Sequence, residues 1–247
     1  MKVKTQVKNP DLVEEKHHRI VQAATSLFIR KGFHPTTIRE IADAANMSMG
    51  LLYKYISSKD DVLFLVYKEL NDQYVMALSS ENIREAANPV AKMKASLEVI
   101  LELVRRDPQK YLFLYTESKF LNRSALKSIL AMESKVIHHF REIIEDGTRN
   151  DLFHAPEPLL AASIIVFLLM LEPLRGWTYR KEYDPSFAHD YLINFCLQSI
   201  AGEKANLLSA KTGEGDKPHR QTGNRWGREK KKGKSQHSGG SEKSLGE

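Results

Sequence analysis

Apolar side chains in this chain return every third or fourth residue and almost never every second. The pattern runs through Ile20, Ala24 and Leu27, then Leu63, Val66, Leu70 and Tyr74. It continues through Met93, Leu97, Ile100 and Val104, and through Ile129, Met132, Val136, Phe140 and Ile143. That spacing places each set on one face of a helix, whereas a strand needs alternation. The chain is therefore expected to be all-α, with roughly nine helices and no internal repeat. With 247 residues, 42% of them hydrophobic, it can enclose a full helical core as one large domain or two unequal ones.

Helix boundaries carry their own chemistry. Asp11 with Glu14, Thr37 with Glu40, and Ser58 with Asp61 each have the spacing of a capping box, in which two side chains satisfy orphan backbone N–H groups. Gly32 is placed to end the first helix, since glycine accepts a left-handed backbone. Pro89, Pro108 and Pro156 fall near expected helix starts, where a missing N–H does little harm. Pro173 falls inside a helical run and predicts a kink or break there.

Composition excludes several classes. The single cysteine, Cys196, rules out an intrachain disulfide framework and a cysteine-rich zinc site. The longest strongly apolar stretch, Leu159 to Leu171, is too short to span a bilayer, and no signal-peptide pattern is evident. A cytoplasmic protein without membrane attachment is expected. Net charge is +4 over residues 1–60, −3 over 61–202 and +5 over 203–247. The last segment is rich in glycine, poor in apolar side chains and contains Lys230-Lys231-Lys232, so it reads as a disordered basic tail.

Residues 36–55 indicate what the basic N-terminal part does. A helix beginning after Thr37 would turn Ile38, Ile41, Ala42 and Ala45 inward, with Ala42 small enough for a second helix to cross closely. Asn46 occupies a tight turn that needs a left-handed backbone, which asparagine tolerates best after glycine. Met47 would bury beneath the turn, Ser48 would cap the next helix, and Leu52 would pack inward. The outward face then offers Ser48, Met49, Gly50, Tyr53, Lys54 and Tyr55, followed by Lys59. Hydroxyls, close backbone approach and cations on one face favour a DNA-reading helix-turn-helix over an ordinary helical hairpin.

The stretch Gly32-Phe33, Thr36-Thr37-Ile38-Arg39-Glu40-Ile41-Ala42, Ser48 through Ile56, and Ser58-Lys59-Asp60-Asp61-Val62-Leu63 resembles the TetR family of transcriptional regulators. The resemblance implies an N-terminal three-helix helix-turn-helix DNA-binding domain over 11–58, after a flexible arm over 1–10. It also implies a C-terminal helical ligand-binding and dimerisation domain over 59–202, with 203–247 as the tail. The last two helices, about Pro158–Gly176 and Pro185–Gly202, would form a four-helix dimer interface with a second copy. Carried over by position, Thr36 and Thr37 are expected at the DNA backbone. Ser48, Met49, Gly50 and Lys54 are expected on the recognition helix, and Tyr53, Tyr55 and Lys59 at phosphates. The chain departs from the family pattern at Asn46, Met49, Tyr55 and Ile56. Met49 favours apolar contact, such as a thymine methyl, over bidentate bonding to guanine. The partner implied is a double-stranded operator, read as an inverted repeat by a homodimer.

In the remainder, Tyr111 to Thr116 and Ile164 to Leu171 are apolar on every face and must be enclosed by core, partner or ligand. Tyr111, Tyr115, Phe167, Met170 and Trp177 are candidates to line a ligand pocket, with Arg175 or Arg180 at its mouth to hold an anionic group. Tyr115-Thr116-Glu117-Ser118 and Glu145-Asp146-Gly147 also resemble regulators of this family that sense acyl-CoA thioesters. A ligand preferring splayed recognition helices would weaken DNA binding by the same coupling free energy, on the order of 1–3 kcal/mol. The helix from Lys59 to about Leu78 is the natural lever.

An enzyme is not expected, nor a cofactor or metal. His138 and Glu142 share a helix face, but no phosphate loop, nucleophile elbow or HExxH motif is evident. Cys196, between Phe195 and Leu197, reads as a buried thiol. The alternative is a helical ligand carrier or membrane-surface module using the basic tail, which leaves Ser48–Tyr55 unexplained.

Overall fold

The computed structural model describes residues 3–202, so the segment expected as a disordered tail lies outside the described residues. It is all-α. The N-terminal helices are α1 (Pro10–Lys31), α2 (Ile38–Ala44), α3 (Met49–Leu52), α4 (Lys59–Leu78) and α5 (Glu81–Arg84). They are followed by α6 (Pro89–Arg106), α7 (Pro108–Glu117), α8 (Arg123–Arg149), α9 (Pro158–Leu168), α10 (Leu171–Arg175) and α11 (Pro185–Ser199). Among the described residues the only β pairing is one antiparallel bridge, Phe153 with Ala201, which ties the end of α11 beneath α8.

There are more helices than periodicity suggested, for two reasons. The single turn α5 is too short to show a period, although Ile83 anchors it in the core. The expected helix from Pro158 to Gly176 is broken between Leu168 and Leu171, with a bend of 52° across the break. Pro173 is the cause: it has no N–H to offer the carbonyl of Leu169, and its ring would crowd that group. No single helix among the described residues is long and apolar enough to cross a membrane.

Two of the three expected capping boxes are present, Thr37 with Glu40 and Ser58 with Asp61. The first helix starts otherwise. Asn9 is its cap, its side chain accepting from the Leu12 N–H, and Pro10 stands in the first turn. Asp11 is thereby moved into the first turn, where its charge faces the positive end of the helix. Gly32 closes α1 at φ 87°, its N–H donating to the Phe28 carbonyl.

The stripes read from periodicity form the core. Met93, Leu97, Ile100 and Val104 of α6 and Ile129, Val136, Phe140 and Ile143 of α8 are all buried. Each such side chain contributes roughly 1.5–3 kcal/mol relative to exposure. The long α8 is the spine of the body and packs against α4, α6 and α9, while α1 and α2 form the head over the start of α4. Cys196 is fully buried, and burial pushes its thiol up to about 11.

Candidate functional site

The helix-turn-helix is built as its residues dictate. Asn46 takes φ 52°, and the Met47 N–H then turns back to the Ala42 carbonyl at 2.9 Å. Thr37 caps α2, and the Glu40 carboxylate accepts from the Thr37 N–H at 2.8 Å while pairing with Lys31. The Lys31 ammonium, then the Thr37 bonds, hold the Glu40 carboxyl down to about 2. Ser48 caps α3 by accepting from the Leu51 N–H at 3.2 Å, and Leu52 is sealed inside. Gly50 faces open space, and Tyr53 and Lys54 are exposed. Helical spacing puts residues 50, 53 and 54 on one face. Met49 lies half-buried against the core, so its expected outward reach is partial.

Three residues expected at DNA are placed differently. Thr36 is buried and donates its hydroxyl to the Gly32 carbonyl at 2.8 Å. Tyr55 is buried, its ring edge against His17, whose Nε2 bonds the Tyr55 carbonyl at 2.9 Å. Lys59 donates to the carbonyls of Phe33, His34 and Thr36, each at 2.9 Å, with its ammonium 4.4 Å from the centre of the Phe33 ring. Burial lowers its pKa. All three brace the head rather than present a group outward. Thr37 stays exposed, but its hydroxyl is engaged with Glu40.

Further braces had no sequence signal. Arg19 donates to the Ala45 carbonyl at 2.7 Å, stitching α1 to the turn. The described part of the expected flexible arm is tied down: Val3 is buried, and the Lys54 carbonyl accepts from the Gln6 N–H at 2.8 Å and the Thr5 hydroxyl at 3.0 Å.

In the body, a cavity of about 380 Å³ opens between α4, α7, α8 and the end of α9. Tyr111, Tyr115, Phe167 and Met170 line it, as expected for candidates on α7 and the Ile164–Leu171 run. Arg175 and Trp177 do not. They lie beyond the 52° bend, which carries them off, and Trp177 is 70% exposed. Arg180 is paired with Glu172 at 2.7 Å instead. Among the described residues, no lysine, arginine or histidine lines the cavity.

Tyr67, Asn71 and Tyr74 of α4, Glu133 of α8, and Ser118 and Ser163 add polar groups to the lining. The signal of the α4 residues was present in the sequence: positions 67, 71 and 74 form a polar-aromatic stripe at helical spacing. Tyr67 donates its hydroxyl to the Leu114 carbonyl. Burial raises the phenol of Tyr111 to about 12 and also raises those of Tyr67 and Tyr74 well above the ordinary value.

Head and cavity are joined by rings as well as by α4. Phe28 of α1 stacks on Phe113 of α7 at 5.6 Å, and Phe33 stacks on Phe120 at 6.1 Å. His34 meets Phe120 edge-on at 4.1 Å. Thus α7, which supplies Tyr111 and Tyr115 to the cavity, touches α1, and the turn Ser118–Phe120 that follows it touches the loop that Lys59 clasps. On the outside, α9 exposes Leu160, Ile164 and Phe167, and α11 exposes Tyr191 and Phe195.

Comparison with known proteins agrees with this architecture. Residues 20–66 match the profile of bacterial regulatory proteins of the tetR family, and residues 86–177 that of the tetracyclin repressor-like C-terminal domain. The HTH-type transcriptional regulator HbdR of Aromatoleum sp. (strain CIB) is 29% identical over 73% of this chain and 79% of its own length. A bacterial regulatory protein in the tetR family from Rhodococcus RHA1 superposes with a TM-score of 0.67 at 21% identity, over 76% of this chain and 98% of that one. AibR, solved in complex with isovaleryl coenzyme A and operator DNA, superposes with a TM-score of 0.61 at 19% identity, over 75% of this chain and 98% of that one.

Proposed function

Since the chain belongs to the TetR family of transcriptional regulators, we propose that it is a homodimeric, cytoplasmic repressor that a small, largely apolar effector releases from its operator. The single observation that carries the DNA-binding part is the exposed edge Ser48, Gly50, Tyr53 and Lys54, mounted on a head in which the side chains of Arg19, Thr36 and Lys59 are internally engaged. Gly50 allows close approach to the duplex, while Tyr53 and Lys54 offer a hydroxyl and a cation for phosphates. The apolar faces of α9 and α11 are assigned to a second copy, which gives two reading heads and hence an inverted repeat.

For the effector we take the cavity under Tyr111, Tyr115, Phe167 and Met170, and an acyl-CoA thioester as the leading candidate. The AibR complex with isovaleryl coenzyme A supports that choice by analogy. A ligand that is accommodated better when α4 and α7 shift must weaken operator affinity by the same free energy by which DNA weakens ligand binding. Both helices reach the head, so either can transmit the shift.

Selection of bound duplexes from a random pool, by wild type and by a Tyr53→Ala, Lys54→Ala variant, tests the reading. Wild type should enrich an inverted repeat that the variant loses while melting at the wild-type temperature. Failure of wild type to enrich any sequence, with and without acyl-CoA, would overturn it.

A further inference from the structure

The cavity's polar lining constrains the chemistry of what it holds, granted that it is the effector site. Its walls are mostly apolar and aromatic, and among the described residues no cationic side chain lines it. The Asn71 carbonyl oxygen is buried and, among the described residues, has no hydrogen-bond partner. Tyr67, on the same face of α4, already spends its proton on the Leu114 carbonyl. Glu133 at the rim is the one ionisable acid of the lining, and loss of water raises its carboxyl above the usual range, toward the neutral acid. A carboxylate buried there would meet no cationic counterion among the described residues, an arrangement that disfavours charge. A ligand N–H or O–H, by contrast, would satisfy an atom that folding leaves unpaired, once the Asn71 amide turns toward the cavity.

From this lining we infer that the cavity takes an uncharged apolar molecule that places a hydrogen-bond donor against Asn71, and that it rejects the corresponding free carboxylate. An acyl group carried as an ester, thioester or amide meets the charge requirement, and one bearing a hydroxyl or N–H meets both. The phosphates of a coenzyme A carrier would have to remain outside the cavity.

Octanamide and octanoate have nearly the same shape and differ in charge, and octylammonium carries the opposite charge. Each is titrated calorimetrically into the full chain and into an Asn71→Leu variant, which keeps the branched outline and the number of heavy atoms. Octanamide should bind wild type at least about tenfold more tightly than either ion, and Asn71→Leu should reduce that affinity by about tenfold, the scale of one unmade bond to a buried group. Octanoate or octylammonium binding as tightly as octanamide overturns the inference. So does unchanged octanamide affinity in the variant, or no binding of any probe at millimolar concentration. The comparison of the three probes on wild type stands even if the variant does not fold. Failure of the regulatory reading looks different: no operator is enriched, or octanamide binds without weakening operator affinity.

Discussion

The ammonium of Lys59 sits 4.4 Å from the centre of the Phe33 ring while donating to the Phe33, His34 and Thr36 carbonyls. One side chain at the start of α4 thus closes the loop between α1 and α2, and that loop sets where the helix-turn-helix stands relative to the body.

A Lys59→Met variant should lose about 1–2 kcal/mol of unfolding free energy, because the His34 and Thr36 carbonyls lose their side-chain donor and the Phe33 carbonyl keeps only the Thr36 N–H. Denaturant titration measures this. The salt dependence of operator binding separates bracing from phosphate contact: a lost phosphate contact would lower the slope by about one. We expect an unchanged slope.

Phe120 links the two halves through Phe33 and His34 without lining the cavity. Phe120→Ala should therefore leave operator affinity in the absence of effector, and effector affinity in the absence of DNA, within a few-fold of wild type. The coupling between them should fall by on the order of 1 kcal/mol. Operator titrations with and without ligand read the difference. An intact coupling would assign transmission to α4 alone.

Gly147 lies within α8, where alanine ordinarily stabilises by about 1 kcal/mol. Here a Cβ would fall 2.0 Å from the Phe153 ring. The sign reverses: Gly147→Ala should destabilise by about 1–3 kcal/mol through overpacking. Adding Phe153→Leu should recover part of the loss, a non-additivity that a double-mutant cycle would reveal.

Glu40 gives an acid-linked step. Its carboxyl is held down to about 2 by Lys31 and Thr37, against an ordinary value of 4.5. A group depressed by folding stabilises above its unfolded pKa and loses that contribution as pH falls through the folded value. Wild type should therefore lose stability relative to Glu40→Gln between about pH 4.5 and pH 2. The two proteins should converge at the acid end. Parallel pH–stability curves would show that the charge on Glu40 adds nothing to folding.

The sequence by itself determined the elements and the reader. Spacing of apolar residues, caps at Thr37 and Ser58, and the left-handed turn at Asn46 are local, so they follow from neighbours within one or two turns of chain. Four cavity residues were legible for a similar reason, since helices apolar on every face must enclose something. Tertiary structure decided what each polar group faces. Lys59 and Tyr55 are turned to carbonyls and rings some 23 to 38 residues away in sequence, and no local pattern encodes those meetings. Arg175 and Trp177 left the cavity because a bend at Leu169 and Met170 redirects everything after it. Periodicity reports which face of a helix is apolar; only the packing of helices on one another reports which polar atoms are left for DNA and for a ligand.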